Sequence, residues 1–207
     1  MQATKDRAAD GLRGLAAMNV FFAHFFLAFY PLGFVHYFPW VAQPGAKGGI
    51  AEKVIALPLL SAAWNGSFAV CIFFVLSGYV LTKGFLDSGN ANLIRSLAAR
   101  RYTRLGIPVF ASVMFAFALY MTGSYHAEQA VQITKSAWLA GVSIRHPTVL
   151  DAVRDGIYGV IFQGSTRFNT VFWTMRVEFI GSMLIFAYSR TSWPGRRVEA
   201  ATANSWL

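Results

Sequence analysis

The sequence predicts an all-α membrane protein with about four transmembrane helices, and three observations predict it. Of 207 residues, 56% are hydrophobic and only 13% are charged, with a mean hydropathy of +0.46; a soluble domain carries about 25% charge. Four apolar stretches approach the roughly 20 residues that a bilayer crossing needs. The basic residues, 18 Lys and Arg against 9 Asp and Glu, flank those stretches, which points to a membrane and away from nucleic acid. A single cysteine, Cys71, excludes an intramolecular disulfide, and four scattered histidines lack ligand spacing, so no metal is expected.

The first predicted span, residues 15–34, contains no charged residue. It is longer than the apolar core of a cleaved signal peptide and ends in Tyr30-Pro31-Leu32-Gly33-Phe34 rather than in a small-residue cleavage site. A polar-aromatic connection, 35–62, leads to the second span, 63–81, which is also uncharged, and a basic connection, 82–104, leads to the third, 105–123. There Pro108 falls in the expected first turn, where no N–H partner is lost. The long connection 124–170 has apolar patches at 131–144 and 149–162, broken by Lys135, Asp151, Arg154 and Asp155; interfacial or re-entrant helices suit it better than a crossing. The fourth span, 171–188, is apolar except for Arg176 and Glu178. Residues 1–188 thus read as one membrane domain and 189–207 as a polar, initially basic tail.

Orientation follows from the distribution of basic residues. With both termini in the cytoplasm, the inside segments hold Lys5, Arg7, Arg13, then Lys83, Arg95, Arg100, Arg101, Arg104, then Arg190, Arg196, Arg197. The longer outside connections hold only Lys47, Lys53, Lys135, Arg145, Arg154 and Arg167. A multi-pass protein of the cytoplasmic (inner) membrane is expected, with membrane lipid as its surroundings.

Polar groups inside spans are where chemistry is sought, because their burial in lipid is costly. His24 lies mid-span. Arg13 precedes it by eleven positions, about three turns, which puts both on one helix face about 16 Å apart. A deep base below a cationic mouth suits a long anionic ligand with a reactive tip; equally, His24 can be interhelical glue and Arg13 a topology anchor. Asp10, three residues before Arg13, suits an ion pair and a helix first turn. Ser77 and Gly78 permit close helix approach and Tyr79 can hydrogen-bond at an interface. Arg100, Arg101 and Arg104 precede the third span; Arg101 and Arg104, at i, i+3, can hold a phosphate or contact anionic lipid. Arg176 and Glu178 point apart, so Glu178 is expected to face the bundle, with His24 or an arginine as partner.

These pieces, in this order, resemble the acyltransferase-3 family of integral-membrane acyltransferases. The resemblance rests on Asp10-Gly11-Leu12-Arg13-Gly14-Leu15-Ala16-Ala17 with His24, an Arg-x10-His pattern; on Phe73-Phe74-Val75-Leu76-Ser77-Gly78-Tyr79; on Arg101-x-x-Arg104 with Pro108; and on Trp173-Thr174-x-x-Val177-Glu178-Phe179. It implies transfer from acyl-CoA, often acetyl-CoA, to a hydroxyl of a glycan or similar acceptor, as in polysaccharide modification. It implies catalytic roles for His24 as general base, for Arg13 as its companion and for Glu178, and a donor-phosphate role for Arg101 and Arg104, with Arg100 beside them. Asp10, Ser77, Tyr79 and Trp173 are supporting positions. In many members a second acidic residue and Gln-Phe-Tyr follow the Trp-and-Glu motif, whereas Phe179-Ile180-Gly181-Ser182 stands here. The resemblance covers only the first half of the family's fold, which implies a C-terminal half or second subunit. Two rival readings are a proton-relaying transporter or channel subunit and an inactive remnant.

Overall fold

The structure, a computed structural model, describes residues 7–88, 91–142, 144 and 146–191. Most of the tail, 192–207, and with it Arg196 and Arg197, lies outside the described residues. The protein is all-α: α1 (Arg7–Phe29), α2 (Ile50–Ile55), α3 (Pro58–Ala63), α4 (Gly66–Ser88), α5 (Ala91–Met121), α6 (Ala127–Thr134), α7 (Ala137–Ala140), α8 (Val149–Arg154) and α9 (Trp173–Thr191). Four segments are long and apolar enough to cross a membrane: Arg7–Phe29, Pro58–Lys83, Ser96–Met121 and Thr170–Tyr188. The chain is a multi-pass integral membrane protein.

The span boundaries differ from the expected ones for local reasons. The first helix ends at Phe29, not at residue 34. Pro31 disfavours helical backbone at the residue before it, and Tyr30 adopts φ −134°, ψ 54° before a 3₁₀ turn at Pro31–Phe34. The second span starts with α3, breaks at Trp64-Asn65, and resumes where the Asn65 side chain accepts a hydrogen bond from the Phe68 amide (3.0 Å), a cap for α4. Pro108 does not occupy a first turn. It sits in the interior of the 31-residue α5, which continues back through the arginines, so the Arg104 carbonyl loses its usual i+4 donor.

The long connection folds into short helices. α8 opens on a capping box in which the Thr148 hydroxyl accepts from the Asp151 amide and the Asp151 carboxylate accepts from the Thr148 amide. It runs on as a π-helix, Asp155–Gln163, that packs against α5 and α9. Gly156 makes the approach to α5 possible: a Cβ there would lie 2.7 Å from Phe110 Cδ2. Val109, Val113 and Phe117 of α5 meet Ala152, Val160 and Phe172 in the larger buried cluster.

Helix packing follows membrane rules. α1 turns Ala9, Ala16 and Ala23, one every seven residues, inward against α4, and leaves Leu15 and Phe21, 70% and 63% exposed, on its other side. A Cβ on Gly66 would lie 3.0 Å from that of Ala23, so small residues bring the backbones together where lipid supplies no hydrophobic drive. Further contacts run from α4 to α9 and from α9 to α5.

Candidate active site

Two polar constellations share one cavity of about 740 Å³. The first is on α1. His24 lines the cavity with Val20 and Leu27 of the same stripe, as one helix face requires. Its Nδ1 lies 2.7 Å from the Val20 carbonyl oxygen. A carbonyl only accepts, so Nδ1 carries the proton in the neutral ring and Nε2 keeps a lone pair. The Trp138 ring stands beside it at a centroid distance of 5.4 Å.

Trp138 reaches that place through a knot of backbone bonds. The Ser136 hydroxyl donates to the Leu27 carbonyl at the end of α1 (2.7 Å) and accepts from the Leu139 amide, capping α7. The Ala137 amide donates to the Val41 carbonyl (2.7 Å), and the Gln43 amide donates to the Lys135 carbonyl (2.8 Å). Ser136 is fully buried. The two connections and the first span are thereby fastened together around His24.

The second constellation joins α4, α5 and α9. Arg101 is buried; its Nη2 donates to the Glu178 carboxylate (2.5 Å) and to the Ser77 hydroxyl (2.8 Å), and its Nε donates to the Ser182 hydroxyl (3.0 Å). The Ser182 hydroxyl in turn donates a hydrogen bond to the Glu178 backbone carbonyl (2.7 Å). Glu178 therefore has its arginine partner, and it also lines the cavity that His24 lines. Burying both charges is tolerable because each is hydrogen-bonded inside the bundle.

The remaining expected residues divide. Arg101 and Arg104 do not present a joint outward fork: Arg101 turns into the bundle, whereas Arg100 and Arg104, one turn apart, are exposed. The Arg13 guanidinium reaches the Leu76 carbonyl on α4 at 3.5 Å, and Arg13 and Arg104 both lie within electrostatic range of Arg101. Arg13 does not line the cavity wall with His24. Trp173 does line it, from the first turn of α9, while Tyr79 is exposed beneath the Lys83 ammonium and Asp10 is exposed in the first turn of α1. Arg176 points away from Glu178, its Nη1 3.5 Å from the Gln163 carbonyl.

Sequence reasoning missed Trp138, Ser182 and a hydroxyl pair on the cavity wall, Tyr37 and Ser61 (2.8 Å apart). Ser182, four residues after Glu178, was findable on α9 as a small polar group on the same face. No pattern signals the others. Among the described residues no group of three His, Cys, Asp or Glu could hold a metal ion.

Comparison with known proteins supplies the family. A family model described as an acyltransferase domain matches residues 6–202. The O-acetyltransferase PaAT-1 of Phomopsis amygdali is 26% identical over 211 residues, covering 86% of this chain and 39% of that protein. The acyltransferase clz18 of Cochliobolus lunatus is 24% identical over 220 residues, covering 85% and 47%. The chain thus spans less than half the length of these curated relatives. No solved structure matches it. With the matched region running through all four spans and both constellations, the chain belongs to the acyltransferase-3 family.

Proposed function

We propose that this chain supplies the donor site and general base of a membrane O-acyltransferase that moves an acyl group, acetyl in the first instance, from acyl-CoA to an acceptor hydroxyl. The observation that carries the reading is the 2.7 Å contact of His24 Nδ1 with the Val20 carbonyl, which, because a carbonyl only accepts, leaves the lone pair on Nε2 of a cavity-lining ring. Nε2 accepts the hydroxyl proton as the acceptor oxygen bonds to the thioester carbonyl carbon, and returns it to the sulfur as the C–S bond breaks. Glu178, fixed by Arg101 and Ser77, balances the transient imidazolium, and Trp138 shields the ring from water.

The residues present fit an acyl-CoA donor. Arg100 and Arg104 are exposed on α5, flanking Arg101, which Arg13 also reaches electrostatically, and their guanidinium groups suit its phosphates. From Arg13 to His24 is about 16 Å along α1, a distance that an extended pantetheine arm crosses. Arg101 is better read as the positioning residue for Glu178 than as a phosphate ligand. Both termini face the cytoplasm in this reading, and a C-terminal half or a second subunit completes the enclosure.

Binding and turnover of radiolabelled acetyl-CoA test it, with His24→Ala and Arg13→Ala beside the parent chain. Loss of turnover in His24→Ala with normal membrane insertion and normal donor binding is expected. Unchanged turnover removes His24 from the chemistry.

A further inference from the structure

Proton accounting at a second polar point on the cavity wall, Tyr37 and Ser61, identifies a feature of the acceptor. Ser61 is buried, and its hydroxyl donates to the Pro58 carbonyl at 3.0 Å. A serine has one hydroxyl proton, so in the bond between Tyr37 Oη and Ser61 Oγ (2.8 Å) the tyrosine is the donor. Both protons are thus committed to the protein. What Tyr37 still offers the cavity is an oxygen that accepts. The same cavity offers other acceptors as well, the Nε2 lone pair of His24 and the carboxylate of Glu178.

The rest of the lining is mainly carbon, with the rings of Phe34, Phe38, Trp64, Phe73, Phe74 and Trp138 and only Asn65, Ser67 and Thr174 as further non-aromatic polar side chains. A glycan, with hydroxyls on every side, would leave many of them unpaired against such a surface. A cavity of about 740 Å³ is also far larger than an acetyl group requires; it is of the size that takes a whole small-molecule ligand.

We infer that the acceptor is an apolar alcohol with a second hydroxyl group: one hydroxyl goes to His24 for acylation, and the other donates a hydrogen bond to Tyr37, which makes Tyr37 a specificity-determining residue. The inference rests on the O-acyltransferase reading for the role of His24; the two-pole binding does not.

The test measures ligand binding by tryptophan fluorescence on the whole chain in nanodiscs, without acyl-CoA. The probes are 1,12-dodecanediol, 1-dodecanol, 12-methoxydodecan-1-ol and maltose. Expected is about fivefold tighter binding of the diol than of the mono-ol, the scale of one neutral hydrogen bond. The methoxy alcohol, which cannot donate at its second end, should bind no better than the mono-ol. Tyr37→Phe should abolish the preference and leave mono-ol binding unchanged. Equal binding of diol and methoxy alcohol by the parent chain, or maltose as the tightest ligand, overturns the proposal, and neither result depends on the variant folding. A retained diol preference in a correctly inserted Tyr37→Phe overturns it too. Selective diol binding without any acyl transfer upholds the Tyr37 binding point and overturns the diol's role as acceptor together with the proposed reaction; acyl transfer without diol selectivity upholds the reaction and overturns the Tyr37 binding point.

Discussion

Replacing Arg101 by Met tests the polar centre of the bundle most directly. The substitution keeps the length of the side chain and removes the donors to Glu178, Ser77 and Ser182. The Arg101 side chain is 10% exposed and that of Glu178 22%, so the carboxylate left behind has little access to water. Removing one partner of a buried pair costs about 3–5 kcal/mol; the partial exposure of Glu178 puts the expected value near the lower end, about 3 kcal/mol. Glu178→Gln strands the guanidinium at a similar cost. Arg101→Met/Glu178→Gln leaves neither charge behind, so the double variant should be less destabilised than the sum of the singles by about 2 kcal/mol or more. Equilibrium unfolding of the four proteins in mixed micelles gives the coupling. Additivity within about 0.5 kcal/mol would mean that the two side chains do not form the pair, and the link between α5 and α9 would need another explanation.

Three further outcomes follow from other parts of the fold. The Asp151 carboxyl is held down to about 2 by hydrogen bonds from the Thr148 amide and hydroxyl and then by Arg167, against an ordinary value of 3.8. A depressed carboxyl contributes stability above its unfolded value and loses it as pH falls through the folded one, so amide exchange at the start of α8 should accelerate between about pH 4 and pH 2, and in Asp151→Asn at neutral pH. Gly156→Ala places a methyl against Phe110; overpacking of this kind costs about 1–3 kcal/mol, measurable as a lowered unfolding midpoint, whereas Gly181→Ala, where a Cβ meets nothing within 4 Å, should be neutral or better. Arg104→Glu should raise the KM for acetyl-CoA about tenfold and leave kcat near normal, since a peripheral phosphate contact binds ground and transition states alike; an unchanged KM would move the donor phosphates elsewhere.

The residues whose placement the sequence made legible are those in which an ionisable group interrupts an apolar run. Glu178 had to find a partner inside the bundle because lipid offers none, and the periodicity of α1 alone put His24, Val20 and Leu27 on one stripe. The helix ends were less legible where two local rules competed. Pro108 reads as a first-turn residue if the arginines before it are taken as loop, but α5 carries those arginines in helical register and turns Arg101 inward. The part of the cavity lining that the connections contribute was not legible at all. Trp138 meets His24, and Tyr37 meets Ser61, through connections whose paths are set by the Ser136 and Val41 bonds, and no spacing in either segment encodes those meetings.

The cluster around Arg101 also bears on how the chain is assembled. Its Ser77 contact joins residues 24 apart in sequence, while its Glu178 contact joins residues 77 apart. As the protein emerges from the ribosome, α4 and α5 are complete well before α9 exists. Over that interval the guanidinium has the Ser77 hydroxyl within its own hairpin but lacks its counter-ion, so the α4–α5 hairpin holds an uncompensated charge. The arrival of α9 neutralises it. Seating of the last span is thereby tied to settling of the earlier ones, and α4 and α5 without α9 are expected to be less stable in the membrane than with it.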